Sequence, residues 1–271
     1  MRKTAVKFMS VFFPNWVVNM AYKALTNPQM AKIREHETLT LNKAHQETIE
    51  FEGFQIQTYT WLGGKDAVLL VHGWEGQAGN FADLTEQLIT ENYTVYAFDA
   101  PSHGNSSKGQ TSLFEFSELV GLLIQKFNVT KIVSHSFGSV ATSYILHKYP
   151  HLKIEKYVML TTPDKFLERI EDVANKVGVS EKIKNKLIVK LENAIHIKVQ
   201  DFNVSDFVKK IQVENALIIH DKADRIIPIE QARKVHQNWK NATIDEIENT
   251  GHFKILRSTN VIKKIINFLK P

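Results

Sequence analysis

Cysteine is absent from the 271-residue chain. Its absence excludes disulfides, thiolate metal sites and a cysteine nucleophile. A chain without cysteine suits a reducing compartment, so we expect the protein in the cytoplasm. Two further signatures are missing, because the histidines lack H-E-x-x-H spacing and the HGWEGQAG segment has no P-loop lysine. We therefore expect no metal and no cofactor.

A strong charge imbalance is also missing, because the chain has 34 Lys and Arg and 29 Asp and Glu, which gives a formal charge of +5. No long basic run is present, so we expect no nucleic-acid partner. The aromatic-rich stretch from Phe8 to Tyr22 is shorter than the roughly 20 residues of a membrane span. We expect residues 1–45 to form an N-terminal helical segment packed on the body. Peripheral membrane contact through Phe12, Phe13 and Trp16, or a targeting signal, stays open.

The β-rich runs are of two kinds. QETIEF (46–51) and FQIQTYTW (54–61) alternate apolar and polar residues, which predicts antiparallel strands with one solvated face. Little alternation, typical of buried strands in a parallel sheet, is found in AVLLV (67–71), YTVYAFD (93–99), KIVSHS (131–136), KYVML (156–160) and ALIIH (216–220). Helical patterns separate the first of these runs, at 80–90, 112–127 and 139–149. This rhythm predicts an α/β fold with a doubly wound, mostly parallel sheet.

The rhythm breaks between about residues 164 and 215, where 179–195 and 205–211 have helical patterns with no strand between them. An insertion at this point lies over the carboxyl edge of the sheet, where α/β proteins bind ligands. We therefore predict a small helical cap within an α/β domain that spans residues 46–271. The chain then returns to regular alternation with a helix at 229–239, a strand at 242–249 and a helix at 255–269.

A serine stands between a predicted buried strand and a predicted helix, in the segment SHSFG (134–138). Small residues two positions on either side of Ser136 let the strand and the helix approach each other closely. This pattern is the nucleophile elbow, usually written G-x-S-x-G, with Ser134 in place of the first glycine. We predict Ser136 as a nucleophile and expect Ser139 to cap or pack the helix.

A serine hydroxyl needs a base, and the base needs an orienting acid. In proteins with this elbow, the three residues occur along the chain in the order serine, aspartate or glutamate, and then histidine. Asp224 follows the strand ALIIH, and His252 follows the last strand in the segment TGHF. We predict these two as acid and base. Asp221 we expect to hold the turn, and Asp164, after the strand before the cap, remains an alternative acid.

The tetrahedral intermediate of such a reaction needs an oxyanion hole. The expected donors are the backbone amides of Phe137, after the nucleophile, and of Trp74, in the HGWEGQ loop. Gly73 lets that loop turn closely, and we predict a substrate contact for it. His135 within the elbow and His103 in the PSHGNS turn are further candidates for substrate contact.

These motifs together resemble the α/β-hydrolase fold superfamily over about residues 45–271. The resemblance rests on VLLVHGWEG (68–76), FDAPSHGNS (98–106), SHSFG (134–138) and DKADRIIP with GHF. The first two are similar to those of a bacterial subgroup of hydrolases. The resemblance implies a cofactor-free serine hydrolase that cleaves a small-molecule carboxylic ester through an acyl-enzyme.

The same triad serves thioesterases, lipases, amidases and other hydrolases, so the substrate stays open. A short cap favours a small or flexible acyl group. Membrane contact by the N-terminal segment would instead favour a lipid ester such as a monoacylglycerol or lysophospholipid. A non-catalytic ligand-binding protein on the same fold is the alternative outside enzymes. The oligomeric state is open as well.

Overall fold

The computed structural model describes residues 3–29, 32–64, 66–195 and 197–270. One eight-stranded sheet forms its centre. The strands are β1 (His45–Phe51), β2 (Phe54–Trp61), β3 (Ala67–Val71), β4 (Thr94–Phe98), β5 (Lys131–His135), β6 (Ile154–Leu160), β7 (Val213–Asp221) and β8 (Ala242–Ile247). The prediction of an α/β fold with a mostly parallel sheet is confirmed.

The strands lie in the order β1-β2-β4-β3-β5-β6-β7-β8. β2 pairs antiparallel with both β1 and β4, and every pairing from β4 to β8 is parallel. The first two strands form a hairpin at Glu52 and Gly53, both with positive φ. The carboxyl ends of the parallel strands therefore meet at one edge of the sheet, which the loops after β3, β5, β7 and β8 share.

Helices cover both faces of this sheet because β3 to β6 present apolar side chains on both sides. The helices are α1 (Lys3–Phe12), α2 (Pro14–Thr26), α3 (Glu35–Leu41), α4 (Ala82–Thr90), α5 (Leu113–Phe127), α6 (Phe137–Lys148), α7 (Phe166–Val177), α8 (Glu181–Ile195), α9 (Val204–Phe207), α10 (Ile229–Gln237), α11 (Gly251–Lys254) and α12 (Thr259–Leu269). One core lies under α5, α6 and α10, and the other under α3, α4 and α12.

The alternation predicted for β1 is present at the edge of the sheet, because Ile49 and Phe51 pack half-buried against the core and Glu50 between them is exposed. Two local predictions of helices differ from the structure. The helical pattern at 205–211 gives only the single turn α9, and the helix predicted from residue 255 begins as a 3-10 turn at Ile255–Arg257 before α12. Helix α3 within the predicted N-terminal helical segment, α7 within the predicted cap, and the short α11 were not predicted individually.

The two N-terminal helices pack on the helices that follow β6. Val17 and Val18 of α2 are buried against Ile183 of α8, and Ala21 lies in a second small apolar cluster with Leu187. Within the described ranges no helix is long and apolar enough to cross a membrane. The division into an N-terminal segment and a capped α/β domain remains a prediction, and four residues of that segment (1, 2, 30 and 31) lie outside the described ranges.

Candidate active site

Ser136 lies on a sharp turn between β5 and α6, with a backbone φ of 52° and ψ of −120°. For a residue other than glycine such a backbone costs about 1–3 kcal/mol, so the surrounding structure has to hold it. A Cβ at Gly138 would come 2.5 Å from the carbonyl oxygen of His72, which explains the glycine. The Ser136 amide donates to the Leu160 carbonyl at 2.9 Å and anchors the turn on β6.

Ser134, in the first position of the elbow, forms hydrogen bonds beneath the turn. The Ser134 hydroxyl is buried and lies 2.8 Å from the Ser139 hydroxyl and 3.0 Å from that of Tyr157. These bonds tie β5, α6 and β6 together directly beneath the elbow. Ser139 packs there as the sequence predicts, with no exposure to solvent.

Ser136, His252 and Asp224 form a continuous chain of hydrogen bonds. The Ser136 hydroxyl lies 3.1 Å from Nε2 of His252, and Nδ1 of His252 lies 2.8 Å from Oδ2 of Asp224. The second carboxylate oxygen of Asp224 accepts the amides of Ile226 and Ile227. Burial opposes ionisation of Asp224, but the His252 hydrogen bond and the two amides outweigh it and lower the pKa of this carboxyl. An ionised Asp224 therefore holds the imidazole with Nε2 free to accept a proton from Ser136.

Asp221 holds the loop that carries His252. One of its oxygens accepts the amide of Ala223, and the other accepts the amides of Thr250 and Gly251. These bonds overcome the effect of burial and lower the pKa of Asp221. The turn-holding role predicted for Asp221 agrees with these contacts. Asp164 is buried elsewhere, where its carboxylate accepts the Ser205 amide at 2.7 Å.

The loop after β3 is fixed by a buried neutral histidine. His72 donates from Nδ1 to the Gly73 carbonyl at 2.7 Å and accepts the Ala100 amide at Nε2 at 3.0 Å. Burial lowers the pKa of His72 to about 4, so the ring keeps one donor and one acceptor at neutral pH. A Cβ at Gly73 would lie 3.3 Å from the Cβ of Ser136, so this loop passes directly beside the serine.

Two backbone amides are available next to Ser136. Among the described residues, neither Trp74 nor Phe137 donates its amide to a hydrogen-bond acceptor. Phe137 is the first residue of α6, so its amide also lies at the positive end of the helix dipole. The rings of these two residues are in edge contact, with centroids 5.0 Å apart. The two donors predicted for an oxyanion are therefore unused within the protein.

His135 supports the loop of His252 from below. Its Nε2 donates to the His252 backbone carbonyl at 2.9 Å, and its ring lies 5.0 Å from that of His252. Burial, reinforced by the neighbouring His252, lowers the pKa of His135 to about 3. The neutral ring thus links the elbow to the loop after β8, a contact that spacing in the sequence cannot reveal.

His103 does not line the cavity described below. Its ring packs edge-on against Trp74, and Nδ1 donates to the Pro101 carbonyl at 2.9 Å. Burial, with a smaller effect from His72, lowers the pKa of His103 to about 3. Asp99 shapes the same loop, because its carboxylate accepts the amides of Ala78 and Asn105. The predicted substrate contact through the His103 side chain is therefore replaced by support of Trp74 from behind.

A cavity of about 880 Å³ opens above Ser136. Its floor, here called the rim, is formed by the loops after β3, β5, β7 and β8 that carry Trp74, Ser136, Asp224 and His252. Its upper wall, here called the roof, is formed by α2, α7 and α8. The roof residues that line the cavity are Tyr22, Ala24, Leu25, Thr26, Phe166, Arg169, Asp172, Val173, Lys176 and Leu191. Gly73 and His135, whose contact with substrate stays a prediction, line the cavity together with Phe114 and Phe253.

The N-terminal helices were not predicted to take part in this site. Yet α2 provides four of the lining residues, and its last carbonyl, that of Thr26, accepts the amide of Thr111 at 2.9 Å. Glu75 of the β3 loop accepts the Gln29 amide at 3.2 Å and ties the segment after α2 to the rim. In the described part of the chain, no group of three or more His, Asp or Glu side chains is arranged to hold a metal ion.

Several of the known proteins that this chain resembles are hydrolases. The family model of the alpha/beta hydrolase fold matches residues 66–178. The uncharacterized hydrolase YugF of Bacillus subtilis is 24% identical over 260 residues, which cover 76% of this chain and 91% of that protein. None of these comparisons distinguishes the bacterial subgroup suggested by HGWEG and DAPSHG, which stays a prediction.

Two solved structures share the fold with a TM-score of 0.65. Est1E from Butyrivibrio proteoclasticus, with ferulic acid bound, is 18% identical and aligns over 82% of this chain and 97% of its own. A bacterial membrane phospholipase A, described as a virulence factor, is 15% identical and aligns over 96% of this chain and 93% of its own. At these identities the likeness establishes the fold alone.

Proposed function

We propose that this protein, which has the α/β-hydrolase fold, is a serine hydrolase that cleaves carboxylic esters. The observation that carries the proposal is the hydrogen-bonded chain from Asp224 through His252 to Ser136 at the floor of an 880 Å³ cavity. A serine with this base, this acid and two unused amides beside it has the parts that acyl transfer requires.

The first half of the reaction forms an acyl-enzyme. The Ser136 oxygen bonds to the ester carbonyl carbon while its proton passes to Nε2 of His252. The carbonyl electron pair moves onto oxygen, which the amides of Trp74 and Phe137 stabilise. When the intermediate collapses, the C–O bond to the alcohol breaks, and the leaving oxygen takes the proton from His252.

The second half restores the enzyme. Water gives a proton to His252 and attacks the acyl carbon, and the second intermediate releases the acid as Ser136 regains its proton. Asp224 stays ionised throughout, as its lowered pKa allows, and stabilises the imidazolium that forms in each half. No cofactor enters this scheme.

A lipid ester is the second candidate substrate class. It is favoured by the cavity, whose roof contributes Leu25, Phe166, Val173 and Leu191, an apolar surface suited to an acyl chain. The likeness to a membrane phospholipase A over 96% of this chain agrees with this candidate. A thioester would react with the same residues of the rim and would differ only in releasing a thiol instead of an alcohol.

Hydrolysis of p-nitrophenyl esters from acetyl to palmitoyl tests both candidates. We expect turnover by the wild type and at least a roughly 1,000-fold loss of kcat in Ser136→Ala, as when a triad member is removed. Ser180→Ala, an exposed serine outside the cavity, is the matched control and should retain full activity. The chain-length optimum then separates a small-ester enzyme from a lipid-ester enzyme.

Fluorophosphonate labelling gives the decisive readout if no ester is hydrolysed. Labelling of the wild type but not of Ser136→Ala would mean an activated serine whose substrate is absent from the panel. Failure of the folded wild type to label would reject the hydrolase proposal in favour of a ligand-binding protein.

A further inference from the structure

The corner between α1 and α2 exposes large apolar side chains to solvent. Phe8, Val11 and Phe12 occupy one face of α1, Phe13 forms the corner, and Trp16 lies in the first turn of α2. Their exposures are 67%, 74%, 61%, 60% and 49%. The opposite face of the two helices is buried on α8. The exposed apolar face is therefore not needed for their packing on the rest of the protein.

The concentration of these side chains is unusual for the molecule. Ten large apolar side chains are exposed in the described part of the chain, and five of them fall within residues 8–16. The others are scattered over α3, the loop after β2, α5, α8 and α11. Scattered exposed apolar residues are normal, whereas a contiguous patch marks an interaction surface.

The charge of the same segment identifies the partner. Residues 1–34 contain six Lys and Arg and no acidic residue, since Glu35 is the first carboxylate of the chain. The segment therefore carries a formal charge of +6, more than the +5 of the whole protein. Exposed Lys182 and Lys186 of α8, the helix on which α2 packs, add to it. Apolar and aromatic side chains flanked by basic ones match the interface of an anionic bilayer.

We propose that the corner formed by residues 8–16 docks on an anionic lipid bilayer. The aromatic rings enter the headgroup region, and the positive charge of the segment is attracted to the lipid phosphates. A second copy of this chain fits the same surface less well, because a symmetric contact would bring two segments of charge +6 together. The proposal does not depend on the hydrolase activity.

Docking at this corner also orients the site. Tyr22, Leu25 and Thr26 of α2 line the cavity, so the helix that begins at the bilayer surface ends in the roof. The helix that docks is thus also part of the cavity wall, which links this surface to the second candidate substrate class.

Vesicle flotation of the full chain tests the proposal. Vesicles of phosphatidylcholine alone are compared with vesicles that also contain phosphatidylserine, at low and at high salt. We expect the wild type to float with the anionic vesicles and to be released by salt, because screening weakens the attraction. Phe12→Ser/Phe13→Ser should reduce the bound fraction at least about tenfold.

Leu39→Ser/Leu62→Ser is the matched control. The two leucines are 60% and 79% exposed, compared with 61% and 60% for Phe12 and Phe13, and they lie outside the corner. This variant should float like the wild type, and circular dichroism melts should coincide for all three proteins. The proposal fails if the wild type stays unbound on anionic vesicles, or if both double variants bind equally. A dimer by light scattering that Phe12→Ser/Phe13→Ser dissociates, without flotation, would assign the surface to a second copy instead.

Discussion

The rim and the roof of the cavity are held in different ways. The rim is a network of buried polar groups, in which His72, His135 and Asp221 each join two loops. The roof consists of amphipathic helices joined by small apolar clusters such as Ala21 with Leu187. Changing one member of the rim leaves a buried partner unsatisfied, whereas changing one member of the roof alters shape and little else.

Under the proposed function, this difference assigns the chemistry to the rim and the choice of substrate to the roof. The rim fixes the distances within the proposed triad, and few of its residues can change independently of each other. The roof contributes Phe166, Arg169 and Leu191 to the cavity from helices that the sheet does not constrain. Related proteins with the same rim can therefore act on different esters by changing the roof.

The largest effect is expected from replacing the acid of the rim. Asp224→Asn keeps the volume but cannot hold His252 in the tautomer that accepts the serine proton, so kcat should fall about 10⁴-fold. Asp164→Asn is the matched control, because Asp164 contacts Ser205 and not His252. Steady-state hydrolysis of the best p-nitrophenyl ester measures both. A large loss in Asp164→Asn alone would identify that residue as the acid.

The stability of the protein should depend on pH through three buried histidines in the rim and behind it. The pKa values of His72, His103 and His135, about 4, 3 and 3, lie below the ordinary 6.5. On acidification the unfolded chain therefore binds protons first, and stability present above about pH 6.5 is lost as the pH falls. Each histidine should remove about 2 kcal/mol from the free energy of unfolding between pH 7 and 5.

Urea denaturation at both pH values measures this loss. His103→Asn keeps a donor to the Pro101 carbonyl but removes the titrating group. The free energy of unfolding should therefore differ between pH 7 and pH 5 by about 2 kcal/mol less than in the wild type. His151→Asn replaces an exposed histidine and should leave the difference as it is in the wild type. An unchanged difference in His103→Asn would mean that the ring is not held neutral by burial.

A smaller effect is expected from the roof. Leu25→Trp adds volume to the cavity wall, which should lower the ratio of palmitoyl to acetyl ester kcat/KM roughly tenfold. Val189→Trp makes the same kind of change on the exposed side of α8 and should leave that ratio unaltered. Equal ratios in all three proteins would show that the acyl chain does not pass α2.

The two regions also differ in what their sequence predicts. β2 and β3 have the predicted limits, Phe54–Trp61 and Ala67–Val71, because the alternation of an antiparallel strand and the continuous apolar run of a buried parallel strand are both local patterns. The residues of the predicted triad come after β5, β7 and β8, which were predicted from the same kinds of pattern. Their catalytic roles stay proposals, but their proximity is a property of the fold.

The supports of the rim and the contacts between the roof helices could not be predicted from one sequence, although α8 itself was predicted at 179–195. The bond from His135 to the His252 carbonyl spans 117 residues and uses a backbone atom, which leaves no trace in spacing. Helix α7 was not predicted, although its apolar residues recur at helical spacing. Its packing against α2 and Phe202, by contrast, leaves no local pattern. Local patterns encode strands and turns well, and contacts between distant helices poorly.

The packing of α2 on α8 has a consequence for the order of folding. Residues 17–25 are synthesised before their partners at 183–191, which lie more than 150 residues later in the chain. The apolar face of α2 therefore has no partner until most of the sheet has been made, and closing so long a loop is slow. The α/β core can form before the amino-terminal helices find their partners, and the roof of the cavity is then the last part of the molecule to be completed.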